Sequence, residues 1–271
     1  MRKLFIAAFA IMLPLAAGAQ TVSDLETDFR ARTSVAVDWK VSRGFHISLE
    51  GEARMKDNCT GLDRFQTTLG VSYKITPWLK AGLGYTFMEK QGTASLKPRH
   101  RVSADLTGSW KAGFWTFSLR ERFMLTNRPD GNNMYEHPRN ALALKSRFQV
   151  KYKINNYLKP YALLEVRTAL NDAQFTGTYN STTGKYGIRT DSSGNPIVTE
   201  PSYVIVNNNR YRAGLGLDWK ISKHHSLDIY GLADYCRERD INFNSDATKL
   251  NSFTIDRALN ITAGLGYVFS F

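Results

Sequence analysis

Hydrophobic and polar residues alternate with period two along most of this chain. From Phe29 to Val41 the odd positions are Phe29, Ala31, Thr33, Val35, Val37, Trp39 and Val41, and the even ones Arg30, Arg32, Ser34, Ala36, Asp38 and Lys40. A period of two with one apolar and one charged face is the mark of a β-strand. Ser42-Arg43-Gly44 turns the chain. The pattern then resumes, with Phe45, Ile47, Leu49, Gly51, Ala53 and Met55 on one face and His46, Ser48, Glu50, Glu52, Arg54 and Lys56 on the other. The same alternation recurs at roughly 62–75, 79–88, 99–111, 114–126, 140–153, 158–170, 209–221, 226–237 and 257–271. No segment carries a 3.6-residue period, so the chain is predicted to be all-β. Glu121 breaks the alternation of its strand, which predicts a bulge there.

These strands run to about 10–14 residues, longer than the 5–6 usual in soluble folds and suited to a tilted membrane crossing. Short turns such as Thr76-Pro77-Trp78, Lys111-Ala112-Gly113, Asn155-Asn156 and Ser222–His225 alternate with longer polar loops, the longest from about Asn171 to Asn208. That asymmetry is typical of outer-membrane barrels. Aromatics such as Trp39, Phe45, Tyr73, Trp78, Tyr85, Trp110, Trp115, Tyr152 and Trp219 sit at the ends of the apolar faces, as interfacial girdles do. The expected fold is a single antiparallel transmembrane β-barrel over residues 20–271. Eleven strands are visible, whereas bacterial single-chain barrels have an even number. Twelve are expected, with Gln20–Asp28 as the extra one, and ten is the alternative.

The first 19 residues read as a secretory signal peptide. Arg2 and Lys3 open it, Leu4 to Leu15 form its apolar middle, and Ala17-Gly18-Ala19 is the expected cleavage site. Cleavage lowers the formal net charge from +12 to +10. At the other end Leu259, Ile261, Ala263, Leu265, Tyr267, Phe269 and Phe271 form one apolar face that closes on an aromatic. Tyr267, Phe269 and Phe271 resemble the signal that the barrel-assembly machinery reads, which makes that machinery and outer-membrane lipid the expected partners. The expected location is the outer membrane of a Gram-negative bacterium. Mean hydropathy of −0.35 argues against a bundle of membrane helices but not against a barrel, whose strands meet lipid at alternate residues.

Four stretches carry a family resemblance: Glu50-Gly51-Glu52-Ala53-Arg54, Leu83-Gly84-Tyr85, Asn209-Arg210-Tyr211-Arg212-Ala213-Gly214-Leu215-Gly216 and Gly264-Leu265-Gly266-Tyr267. With them the chain resembles the outer-membrane barrel family named domain of unknown function 2490. The resemblance implies a fold and a location, and it supplies no catalytic residues.

Candidate chemistry is sparse. His46, Ser48 and Glu50 share a strand face and suggest a hydrolytic triad, but on the polar, inward face, away from the lipid that a phospholipase or acyltransferase would attack. His224-His225 sits in a short turn with Asp228 as its only nearby acid, which is a weak metal site. Cys59 and Cys236 are far apart in sequence, and their pairing is open. Basic residues alternate along strands and do not cluster, so nucleic acid is not expected. No catalytic residue, metal or cofactor is assigned, and an enzyme is not expected.

The polar face is the real constellation. By parity it carries about twenty Lys and Arg against about eight Asp and Glu, an excess suited to carboxylate and phosphate groups. The candidate lumen-lining residues are Arg30, Arg32, Glu50, Glu52, Arg54, Arg120, Arg122, Glu165, Arg167, Arg210 and Arg212. Two functions fit them. One is a narrow pore or binding barrel for small anions or acidic oligosaccharides. The other is a structural barrel filled by Arg–Glu ladders.

Overall fold

The structure is a computed structural model that describes residues 21–92, 96–129, 138–174, 177–180, 185–188, 202–243 and 250–271. The leader, residues 1–19, lies outside the described residues. The chain forms β1 (Thr21–Ser42), β2 (Phe45–Lys56), β3 (Gly61–Lys74), β4 (Leu79–Gln91), β5 (Leu96–Ala112), β6 (Trp115–Asn127) and β7 (Asn140–Tyr152). It continues through β8 (Leu158–Gln174), β9 (Gly177–Asn180), β10 (Lys185–Ile188), β11 (Ser202–Lys220), β12 (His225–Phe243) and β13 (Leu250–Ser270). Eleven of these strands close into a barrel in the order β1-β13-β12-β11-β8-β7-β6-β5-β4-β3-β2, and β9 and β10 make a separate hairpin.

The expectation of twelve strands, or of ten, is thus corrected to eleven. Gln20–Asp28 supplies no strand of its own, because from Thr21 the chain runs without a turn into the 22-residue β1. Eleven strands joined in sequence by hairpins leave the first and last pointing the same way, so closure must be parallel. β1 indeed pairs with β13 in parallel from Thr21↔Thr254 to Asp38↔Ser270, and the other neighbours pair antiparallel. The segment read as one long loop from about Asn171 to Asn208 is also shorter than expected. β8 runs to Gln174 and β11 begins at Ser202, with β9 and β10 between them. Their ladder shifts register at Tyr203/Ile205, Ile205/Asn207 and Asn208/Arg210.

The two faces take opposite environments. Val35, Trp39, Leu49, Leu69, Leu83, Val102, Leu119, Leu164, Leu215 and Leu265 are exposed on the outside, whereas Asp63, Glu165, Arg212, Asp234 and Asn260 are buried. Polar groups therefore face in and apolar groups face out. All five tryptophans lie at the rim of short turns, where β1, β5 and β11 end, β6 begins and Trp78 turns the chain. At the same rim Gly44 takes φ 87°, a conformation that favours glycine, as β1 turns into β2. Glu121 makes no bulge, since the β5–β6 and β6–β7 ladders run through it without a register shift. It keeps its place in the pleat and so stands on the outer face.

Candidate functional site

A barrel of about eight strands is just filled by its own side chains, so eleven strands leave room inside. The room is a cavity of about 570 Å³ against the wall formed by β1 to β7, with Arg212 of β11 reaching it from across the lumen. Its lining includes nine cationic side chains, Arg32, Arg54, Lys80, Arg101, Arg120, Arg122, Lys145, Arg147 and Arg212, and three carboxylates, Glu50, Glu52 and Asp105. Ser48, Gln66, Thr68, Ser72, Thr86, Ser103, Thr107, Ser118 and Gln149 fill the intervals. Strand parity produces this arrangement: Arg120 and Arg122 are two apart on β6, and Lys145, Arg147 and Gln149 repeat the spacing on β7.

Two of the three acids in its lining are paired with cations. Asp105 takes a fork of two bonds from Arg122, Nε to Oδ1 at 2.5 Å and Nη2 to Oδ2 at 2.6 Å. Glu52 is bonded by Arg54 Nε and lies 4.0 Å from Arg32 Nε. Glu165, almost fully buried on β8, anchors four cations. Arg147 reaches it at 2.6 Å, Arg212 at 3.2 Å, Arg120 at 3.5 Å and Lys145 at 3.6 Å. Arg212 also forks onto Asp234 at 2.5 and 2.9 Å. Burying a charge costs several kcal/mol unless it is paired, which explains the shared carboxylate. Sharing does not satisfy everything. Nε of Arg32 and of Arg120 are buried with no hydrogen-bond partner among the described residues, and Arg101 Nε bonds a hydroxyl, Thr126 Oγ1, at 2.9 Å.

The sequence candidates thus separate. Arg32, Glu50, Glu52, Arg54, Arg120, Arg122 and Arg212 line the cavity, and Glu165 holds its cations from behind. Arg30, Arg167 and Arg210 are not among its lining residues. Arg30 bonds Asp28 at 2.6 Å, Arg167 bonds Asn209 at 2.7 Å, and Arg210 lies 3.9 Å from Glu238. Lys145, which touches both Glu165 and the cavity, was not among the candidates, although it has the parity of Arg147.

The opposite wall is filled. Tyr161 lies over Gly216 and Tyr230 over Gly264, so closely that a β-carbon at either glycine would strike the ring. Leu163 and Leu232 flank Gly214 in the same way. Tyr161 donates to Asp228 at 2.8 Å, and Lys151 reaches Asp218 at 2.8 Å, beside a second cavity of about 320 Å³. Inward tyrosines and leucines carry no polar signature, so alternation of polarity alone does not reveal them.

The remaining candidates have ordinary contacts. His46 Nδ1 lies 3.3 Å from Asp38 on β1, while Ser48 and Glu50 line the cavity. His224 and His225 bond the Ser270 carbonyl at 2.6 Å and the Tyr267 hydroxyl at 2.5 Å. Phe269 packs edge-on against Phe271 at 4.7 Å, and Phe271 N–H donates to Asp38 across the seam at 3.0 Å. Both cysteines are free, Cys59 in the β2–β3 turn and Cys236 buried 3.4 Å from Asn260 Nδ2.

Among solved structures, the chain resembles the translocator domain of autotransporter NalP from Neisseria meningitidis at 11% identity and a TM-score of 0.33, covering 72% of this chain and 70% of that one. At that score the likeness adds nothing to the fold described above. No curated relative matches the chain. Residues 29–187 match the family described as protein of unknown function (DUF2490), a span that takes in Glu50–Arg54 and Leu83–Tyr85 and stops short of 209–216 and 264–267. With more than half its length matched, from within β1 to within β10, this chain belongs to the DUF2490 family.

Proposed function

We propose that the chain is an outer-membrane β-barrel of a Gram-negative bacterium, exported with cleavage near Ala19. Its basic lumen binds or conducts small anions or acidic oligosaccharides. The apolar outer face, the tryptophan rim and the polar interior support the membrane placement, since a water-soluble barrel reverses the two faces. The observation that carries the solute class is the 570 Å³ cavity with nine cationic and three acidic side chains in its lining. Fixed positive charge in a confined passage concentrates anions and opposes cations. Screening over about 8 Å at physiological salt leaves the middle of a narrow lumen within reach of its walls. In this reading the protein is not an enzyme, and its partners are membrane lipid, the assembly machinery and the anionic solute.

The test uses purified protein in a planar bilayer. Chloride should pass in preference to potassium, and changing Arg120 and Arg122 together to glutamine should weaken that preference. A cation-selective current would overturn the reading. A barrel that passes no current yet retains an acidic oligosaccharide is a binding barrel. One that does neither is the structural alternative, for which the Glu165 cluster and the tyrosine-filled wall speak.

A further inference from the structure

A second basic cluster adjoins the cavity at its end away from the tryptophan rim. Arg64 on β3 and Arg210 on β11 each lie two residues farther from that rim than a cavity-lining side chain, Gln66 and Arg212. Arg167 on β8 lies two residues past Glu165 in the same sense, and Arg128 follows the end of β6. Two residues make one pleat repeat, so these side chains keep to the lumen side of their strands. Arg54 on β2 and Arg101 on β5 belong to cavity and cluster alike. The six are neighbours across the lumen as well. The like charges that act most strongly on Arg101 are Arg64, Arg54, Arg167 and Arg128, and Arg210 acts in turn on Arg64 and Arg167.

The carboxylates at hand do not match this charge. Asp63 bonds Arg64 at 2.7 Å, Glu52 bonds Arg54, and Glu238 lies 3.9 Å from Arg210 with more than half of its side chain exposed. Asp172 and Asp234 also act on the cluster but are given over to Arg239 and Arg212. Arg101 and Arg167 bond neutral partners, Thr126 at 2.9 Å and Asn209 at 2.7 Å. Nε of Arg128 and of Arg210 are buried with no hydrogen-bond partner among the described residues. Six guanidinium groups against three paired carboxylates leave an excess of three positive charges among the described residues. Arginine does not shed its proton to escape such crowding, so relief has to come from a bound anion.

We propose that this cluster binds a phosphoryl group, presented by a solute whose remaining part occupies the adjoining cavity. A carboxylate brings a single charge and offsets a third of the excess. A phosphate monoester brings about −1.5 to −2 charges near neutral pH and several strong acceptor oxygens, so it offsets most of the excess and takes bonds from more than one guanidinium. Because Arg54 and Arg101 border the cavity, a sugar carrying that group lies against Ser103, Thr86 and Gln66, whose Oε1 is buried and lacks a donor among the described residues. The proposal rests on the anion-binding reading of the lumen given above and names the charged group that its ligand carries.

The experiment titrates the full mature chain in detergent micelles by calorimetry, with chloride holding the ionic strength constant. Inorganic phosphate should bind, and acetate should bind about tenfold more weakly or less. Arg167→Gln with Arg210→Gln, which spares the cavity lining, should weaken phosphate by about tenfold or more, and by more than Arg120→Gln with Arg122→Gln does. Lys111→Gln with Lys153→Gln removes two exposed charges near the short turns and should leave phosphate binding unchanged. Phosphate should also raise the urea midpoint of wild type and not that of the Arg167, Arg210 variant, which separates loss of the site from loss of the fold. Should that variant fail to fold, Arg167→Lys with Arg210→Lys keeps the charge and removes both forks, and a loss of about threefold is expected. Glucose 6-phosphate identifies the source. Tighter binding than phosphate supports a phosphorylated sugar, and weaker binding supports the free ion at the same cluster. A larger loss through Arg120 and Arg122 than through Arg167 and Arg210 puts the phosphoryl group in the cavity and overturns the cluster. Protein that passes chloride in preference to potassium yet binds neither phosphate nor glucose 6-phosphate overturns this proposal alone. A cation-selective current without phosphate binding overturns the lumen reading and this proposal with it.

Discussion

The two walls of the lumen are built from the same strand geometry and end in opposite states. Along β1 to β7 the inward positions carry arginine, lysine and short hydroxyl or amide side chains, and a cavity of about 570 Å³ remains in front of them. Along β8 and β11 to β13 they carry Tyr161, Leu163, Tyr230 and Leu232, laid over Gly214, Gly216 and Gly264. A glycine beside an inward ring lets the ring lie flat against the wall, so bulk is spent on packing. A serine or threonine beside an arginine provides no such seat, and the guanidinium must reach into the lumen for a partner. One wall is fixed by van der Waals contact around its glycines alongside the buried Glu165, Arg212 and Asp234 ion pairs, and the other by charge. In the function proposed above, solute chemistry belongs to the second, while the first supplies rigidity.

The strongest way to break this comparison is at a residue that serves both walls. Glu165 stands on the packed side and anchors cations of the open side. Glu165→Leu would leave Arg147, Arg120 and Lys145 without their carboxylate and Arg212 with Asp234 alone. A loss of about 3–5 kcal/mol is expected in urea unfolding of the vesicle-inserted barrel, because a buried charge has lost its partner. A loss below about 1 kcal/mol would mean that water solvates the cluster and that the open wall is wetter than its contacts suggest.

A second variant turns the packed wall toward the open state. Gly264→Val places a branched side chain where the Tyr230 ring lies, so the ring must swing into the lumen. Destabilisation of about 1–3 kcal/mol is expected from overpacking, together with a smaller single-channel current if the lumen conducts. The same change at Gly51, which faces outward with nothing within 4 Å of an added β-carbon, should show neither effect. The finest distinction is Tyr161→Phe. It keeps the ring on Gly216 and removes only the bond to Asp228, so about 1 kcal/mol should be lost with conductance unchanged. A larger loss would show that the Tyr161 ring is held by its bond to Asp228 more than by its seat on Gly216.

Much of the fold was legible from alternation alone. The eleven barrel strands, the short turns and the inward placement of Arg32, Glu52, Arg120, Arg122 and Arg212 all follow from a period of two. What escaped has specific causes. The start of β11, Tyr203-Val204-Ile205-Val206, is apolar at successive positions, and the end of β8 mixes Ala169, Leu170 and Ala173 with Asn171 and Asp172, so neither shows a period of two. Strand number is hidden because even-numbered closure is only a habit of such barrels, and a parallel seam needs no sequence mark beyond one more strand. Glu121 predicts a bulge only where polarity stands in for direction. Its ladders show that pleat fixes direction and polarity merely accompanies it. Leu163 and Leu232 escaped for the converse reason, being apolar groups on the inward side.

The parallel seam also bears on the order of folding. Each antiparallel neighbour pair among β2 to β8 and β11 to β13 can zip from its connecting turn or loop, at modest cost in chain entropy. The β1–β13 pair joins Thr21 to Thr254 and Asp38 to Ser270, so it closes a loop spanning nearly the whole described chain. Such long-range contacts form slowly, and here the two strands have no hairpin to set their register. Until they meet, the sheet exposes two edges, each about 20 residues long, that can pair with any other strand. The seam is thus the step that closure entropy opposes most, and the step at which protection of unpaired strand edges matters most.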